Sequence, residues 1–160
     1  MADMLTDGAI KVTYVPTIAN IAAPTVAELG AGLDLECLIT ADGLNVTVDE
    51  ETVSIPKLCD TTNSEAPGRA TYSIDFTFVR KTVTGEDEAW ATMVRKTPGF
   101  IVFRYGPLAT QAYAAADPVQ VFPGQSGERR PLQPEANSAV KFSSKWFVDD
   151  VPDLDAVVAA

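Results

Sequence analysis

The sequence predicts a mostly β protein: two packed antiparallel sheets closing towards a β-barrel or sandwich, with one flanking α-helix over about residues 84–96 and long loops. Three observations carry this prediction. Apolar and polar side chains alternate with a period of two in about seven short segments. Those segments follow one another closely, which favours antiparallel pairing between sequence neighbours. Only one stretch changes from period two to the helical period.

The elements follow in order. Ala9 to Val15 reads as a first strand, with Ile10, Val12 and Tyr14 in phase. Thr25 to Leu29 suits a single helical turn ended by Gly30 and Gly32. Leu33 to Thr40 alternates Leu33, Leu35, Cys37 and Ile39 against Asp34, Glu36 and Thr40. Asp42-Gly43 is a turn signal. Asn45 to Ile55 then reads as a hairpin, or as two short strands joined at the acidic corner Asp49-Glu50-Glu51. Pro56 to Ala70 carries turn chemistry throughout, and a loop of that length in a compact domain usually has a function.

Thr71 to Gly106 reads as strand, helix, strand. Tyr72, Ile74, Phe76 and Phe78 form the apolar face of the first strand, and Ser73, Asp75 and Thr77 the polar one. Thr84 is placed as an N-cap, and Glu86, Asp87 and Glu88 supply negative charge to the first turn. Ala89, Trp90, Met93 and Val94 form one stripe, and Thr97-Pro98-Gly99 stops the helix before the apolar strand Phe100 to Phe103. Pro107 to Pro118 is a connection, Val119 to Phe122 a short strand, and Pro123 to Asn137 a polar loop. Ser138 to Val148 is the last expected strand. Residues 1–148 thus read as one β domain, and 149–160 as an acidic, alanine-rich tail expected to fray.

The chain has 160 residues, 46% hydrophobic and 21% charged, enough for one domain with its own core. The formal net charge of -10 argues against wrapping nucleic acid through phosphate contacts, although it suits a surface that repels nucleic acid. Cys37 and Cys59 are too few for a disulfide framework and fit no zinc spacing, so they read as two reduced thiols, with a single disulfide as the alternative that sequence alone does not decide. The start lacks the basic and apolar regions of a signal peptide, and Pro24 and Glu28 break the least polar stretch, so no membrane association is expected.

The sequence has no histidine, which removes histidine-dependent triads and the commonest metal ligand. No glycine pattern cradles phosphate. Asp49-Glu50-Glu51 offers oxygen ligands but lacks calcium-loop spacing and reads as a solvated turn. Arg129-Arg130 reads as a solvated loop pair or as a basic pair meeting an acidic surface on another subunit. Asn45-Val46-Thr47 matches a glycosylation acceptor by chance in a chain without a leader. The residues therefore favour a structural, self-assembling protein without cofactor over an enzyme.

Four stretches, taken in order, resemble the tail tube (major tail) proteins of long-tailed bacteriophages, particularly those of actinobacteria. They are Ile21 to Leu29 with Gly32 to Leu35; Leu38 to Asn45; Thr52 to Ile55 with Leu58 to Thr61; and the unit from Thr71 through Asp87, Ala89 and Trp90 to Val102-Phe103-Arg104. The resemblance implies hexameric rings stacked into a hollow conduit through which genomic DNA passes at ejection without specific binding. It also implies tape-measure, tip and terminator proteins as further partners, and a place in the virion tail after synthesis in the host cytoplasm.

On that reading an acidic lumen repels DNA. Asp75 is the first candidate lumen acid, followed by Asp34 and Glu36 and then by Asp49, Glu50 and Glu51. The loop from Pro56 through Asp60, Asn63, Pro67 and Arg69 to Ala70 is the candidate contact between rings, and Arg129 and Arg130 a candidate interface pair. The competing readings are another tail ring or decoration module, such as a terminator or tip protein, and a β-sandwich hydrolase or carbohydrate-binding domain.

Overall fold

A computed structural model of the protein describes residues 2–160. Among the described residues are nine strands and two short helices: β1 (Ile10–Val15), α1 (Val26–Gly30), β2 (Leu33–Asp34), β3 (Ile39–Ser54), β4 (Glu65–Val79), α2 (Glu88–Thr92), β5 (Pro98–Tyr105), β6 (Pro118–Ser126), β7 (Arg130–Pro131), β8 (Lys141–Val148) and β9 (Asp153–Val157). The mostly β, antiparallel class is as the alternation predicts. The architecture differs in one respect. The strands form a single sheet ordered β2-β1-β5-β6-β8-β4-β3, with β7 on β8 and β9 on β6, and the sheet does not close.

One sheet does the work of two because it curls over its own apolar face. Val12 and Tyr14 of β1, Ile101 and Phe103 of β5 and Phe122 of β6 share a core with Ile74, Phe76 and Phe78 of β4 and Phe142 and Trp146 of β8. Tyr14 meets Trp146 edge-on at 6.0 Å although their strands are three places apart in the sheet. The curl is centred on β6. Its last residues, Gly124 to Ser126, pair with β8, and its first, Pro118 to Val121, pair with β9. At Gly124 an added Cβ would collide with the Phe147 carbonyl, so only glycine permits this crossing.

The other face of β1, β5 and β6 is buried as well. Val15, Ile18, Leu29, Val102, Val119, Val121, Ala156 and Val158 make a second apolar cluster beneath α1 and β9. The C-terminal residues expected to fray are therefore part of the fold. Alternation places Ala156 and Val158 inward while Asp153 and Asp155 face outward, so composition hides a strand.

α1 forms as expected. Thr25 and Glu28 make a reciprocal capping box. The Glu28 carboxylate accepts the Thr25 and Ala19 amides at 2.9 and 3.0 Å, which holds its pKa below the ordinary range. The helix expected over about 84–96 is only the short α2. Asp87 caps nothing with its side chain and instead accepts from Arg80 Nε at 2.7 Å and the Lys81 amide at 3.2 Å. Beyond Met93 the backbone turns to β6: the Lys96 amide donates to the Ser126 carbonyl at 2.8 Å, and the Ser126 hydroxyl donates to the Val94 carbonyl. These tertiary bonds replace the next helical turn.

Two further expectations change. The segment 33–40 is broken into Leu33–Asp34 in β2 and Ile39-Thr40 at the start of β3, because the Leu38 and Ile39 amides both turn back to the Leu35 carbonyl. The Asp42-Gly43 turn and the acidic corner lie instead within the continuous 16-residue β3, whose register shifts between Ile39 and Leu44 and again between Glu50 and Thr52.

Candidate assembly interface

The most exposed regular structure is a long two-stranded arm. β3 and β4 pair from Leu44↔Phe76 outward to Ser54↔Glu65, while the last pair between β4 and β8 is Ser73↔Phe147. Beyond that point the ribbon has no third strand. It extends roughly 20 Å from Val48 to Ser54 at a strand's rise per residue. The loop expected over Pro56–Ala70 is thus shorter. Pro56, Asp60 and Asn63 lie at the tip, but Pro67 and Arg69 belong to β4, with Pro67 opposite Thr52. Asp60 holds the tip turn by accepting the Lys57 amide at 2.9 Å.

The arm buries little by itself. Val48, Val53, Ile55 and Leu58 are exposed, Leu58 completely. A lone two-stranded hairpin is marginal in water, and a long unpaired edge invites pairing with another chain. β3 is such an edge, terminal in the sheet along its whole length. Cys59 at the tip and Cys37 near β2 are both free and exposed.

The candidate acids fall into separate places. Asp75 lies on the outward face of β3, β4 and β8, where it is opposite Asn45 on one side and Lys145 on the other. Asn45, Thr47, Asp49, Ser73, Thr77 and Ser143 share that polar face by alternation and register, and Thr47 and Ser73 share a hydroxyl hydrogen bond of 2.6 Å across it. Asp49, Glu50 and Glu51 are exposed at the arm's base.

Asp34 and Glu36 stand elsewhere, against β1. The Lys11 ammonium donates to Asp34 at 3.1 Å, Glu36 at 3.4 Å and the Ala109 carbonyl at 3.2 Å. Thr13 donates to Asp34 at 2.9 Å, and the Tyr113 hydroxyl is 2.8 Å from Thr13 Oγ1. Burial pushes the Tyr113 phenol well up from its ordinary pKa, so it stays protonated and donates to Thr13. Beside it Arg104, almost wholly buried, donates to the Leu108, Gln111 and Ala112 carbonyls and to Asp117. This side chain holds the connection between β5 and β6 in shape. Sequence reasoning missed the cluster, although one charge at Arg104 in an apolar strand was its signal.

Arg129 and Arg130 separate. The Arg129 guanidinium lies 4.1 Å from the Trp90 ring centroid and donates to the Trp90 carbonyl at 2.8 Å, while Arg80 lies 3.8 Å from the same ring. Trp90 also meets Phe142 edge-on at 5.0 Å. Arg129 therefore clasps the loop before β7 to α2. Arg130 pairs with Ser143 and remains exposed.

Among the described residues no three His, Cys, Asp or Glu side chains gather to hold a metal ion, and no helix is long and apolar enough to cross a membrane. The phage tail tube protein family model matches residues 1–160. The chain belongs to the phage tail tube protein family. It is accordingly a structural component of a phage tail. No curated protein matches the sequence. Among solved structures the fold is similar to a chain of the six-fold symmetrised cryo-EM structure of the anti-feeding prophage baseplate, with 11% identity, a TM-score of 0.51, and 94% of this chain and 95% of that chain covered.

Proposed function

We propose that this chain is the repeating subunit of a tail tube, in which rings of six stack into a conduit for the genome. The observation that carries the reading is the β3–β4 arm: a ribbon with an open edge and uncovered valines, isoleucine and leucine that needs another chain to cover it. The six-fold symmetry of the similar baseplate assembly supports six subunits per ring.

Within a ring, pairing along the open β3 edge would join the sheets of neighbouring subunits and remove that edge. The polar outward face of β3, β4 and β8 is then the wall of the lumen, with Asp75 and Asp49 facing DNA. Glu50 and Glu51 follow at the arm's base, while Asp34 and Glu36, already paired with Lys11, add less to the field. Negative groups repel phosphates over about 8 Å at physiological salt, so DNA slides without sticking. The arm from residue 49 to residue 71 contacts the next ring. The chain is made in the host cytoplasm, has no catalytic or cofactor role, and meets the tape-measure, tip and terminator proteins at the tube's inside and ends.

Negative-stain electron microscopy of the purified chain over a concentration series tests this. Long hollow tubes of stacked six-fold rings are expected. Rings that never stack would favour a terminator or tip role and overturn the tube reading.

A further inference from the structure

Residues 84–97 carry local signals for a helix, yet only Glu88–Thr92 is helical. Glu86, Asp87 and Glu88 suit a first turn, Ala89, Trp90, Met93 and Val94 share one stripe, and Arg95 and Lys96 suit a last turn. A segment whose local preference disagrees with its tertiary setting can lie close in free energy to a second conformation.

The groups that hold the short form are Arg129 and Ser126. In a continuing helix the Val94, Arg95 and Lys96 amides would donate to the Trp90, Ala91 and Thr92 carbonyls. The Arg129 guanidinium competes for the first of these, donating to the Trp90 carbonyl at 2.8 Å. The Lys96 amide is drawn instead to the Ser126 carbonyl at 2.8 Å, and the Ser126 hydroxyl donates to the Val94 carbonyl.

The short form also carries costs. Lys96 has a φ of 66°, in the left-handed region that residues other than glycine avoid. The Arg129 Nε is buried without a hydrogen-bond partner. Arg129 shares the Trp90 ring with a second cation, Arg80, which has Asp87 as its counter-charge, whereas among the described residues Arg129 has no ion pair. The Asp87 side chain makes no capping bond to α2. A helix continued through Lys96 removes the left-handed residue and keeps Met93 on the same face as Ala89, towards the core.

We propose that residues 84–97 are a two-state switch that controls Arg129. In the short state Arg129 is clasped on Trp90. In the long state α2 runs through Lys96, the Trp90 carbonyl bonds to the Val94 amide, and Arg129 is freed to stand beside the exposed Arg130 as a basic pair. The switch belongs to the single subunit and stands whether or not the subunit forms tubes.

Nuclear magnetic resonance of the dissociated full chain tests this. With Ser126→Ala and Arg129→Ala together, the Cα shifts of Val94, Arg95 and Lys96 should move to helical values, and their amides should exchange with solvent about tenfold slower or more. Adding Lys96→Gly should reverse both changes, since glycine favours the left-handed exit and disfavours a helix. Each single change should move the same residues less far, and the single changes decide if the pair fails to fold, as judged from the shifts of β4 and β5. Reaction of Arg129 with phenylglyoxal should quicken in Ser126→Ala and slow in Lys96→Gly.

If residues 93–97 turn to coil with faster exchange, or keep their parental shifts, the clasp merely pins a loop and the switch is overturned. A helix that lengthens while Arg129 reacts at the parental rate overturns the control of Arg129 alone.

Discussion

At the scale of single residues, the polar groups buried behind β1 and β5 hold the outer half of the molecule in place. Lys11, Thr13, Arg104 and Tyr113 are all buried, and each bonds to a partner outside its own element, although the Arg104 Nε itself has none. Tyr113 has a measurable consequence. Burial raises its pKa in the folded chain, whereas in the unfolded chain it titrates near about 10. Above that pH the unfolded state releases its proton first, so stability is full below about pH 10 and falls as pH rises beyond it. Tyr14 and Tyr105, also raised by burial, act with the same sign. Replacing Tyr113 with Phe should cost about 1 kcal/mol at neutral pH by removing the bond to Thr13. It should also flatten part of the alkaline decline, as followed by urea denaturation across pH. A decline as steep as the parent's would show that Tyr113 does not titrate in this way.

At the scale of elements, the arm is separable from the core. No residue from 49 to 71 belongs to either apolar cluster. Replacing residues 50–70 with an Asn-Gly turn, which joins the paired positions Asp49 and Thr71, should leave stability within about 1 kcal/mol of the parent. The same change should abolish tubes in the electron microscope, and tubes of normal length would remove the arm from the stacking contact. The elements also show what could be read in advance. The β4 core strand, the α1 capping box and β5 are legible because their signals are local: alternation, a cap with its partner, an apolar run. The shortness of α2, the arm's full pairing and the strand β9 are not. α2 is cut short by bonds from β6, residues 65–70 become strand only because residues 50–54 lie opposite, and β9 forms only where β6 offers its free side.

For the whole molecule, the lone subunit and the assembled tube should differ most at the arm. Lys57 at its tip and Arg69 on its flank are exposed trypsin sites on a ribbon that has no third strand. In the dissociated subunit, brief trypsin treatment should cut first at these positions and leave the core intact. In tubes the same cuts should slow by about tenfold or more, because cleavage then follows release of the arm from its neighbour. Equal cutting in both states, read by mass spectrometry, would mean that assembly leaves the arm uncovered.

The amino-acid sequence by itself determined the β class, the polar and apolar faces of each core strand, the absence of histidine chemistry and, through the order of its segments, the family. Those properties depend on neighbours in the chain, on side-chain period and on residue type. Only the tertiary structure decided that one curled sheet replaces two, that Asp34 and Glu36 pair with Lys11 while Asp75 lies on an open polar face, and that Arg129 is held on Trp90. Each of these depends on groups far apart in sequence, brought together by the register of strands across the sheet, and no local pattern of residues encodes that register.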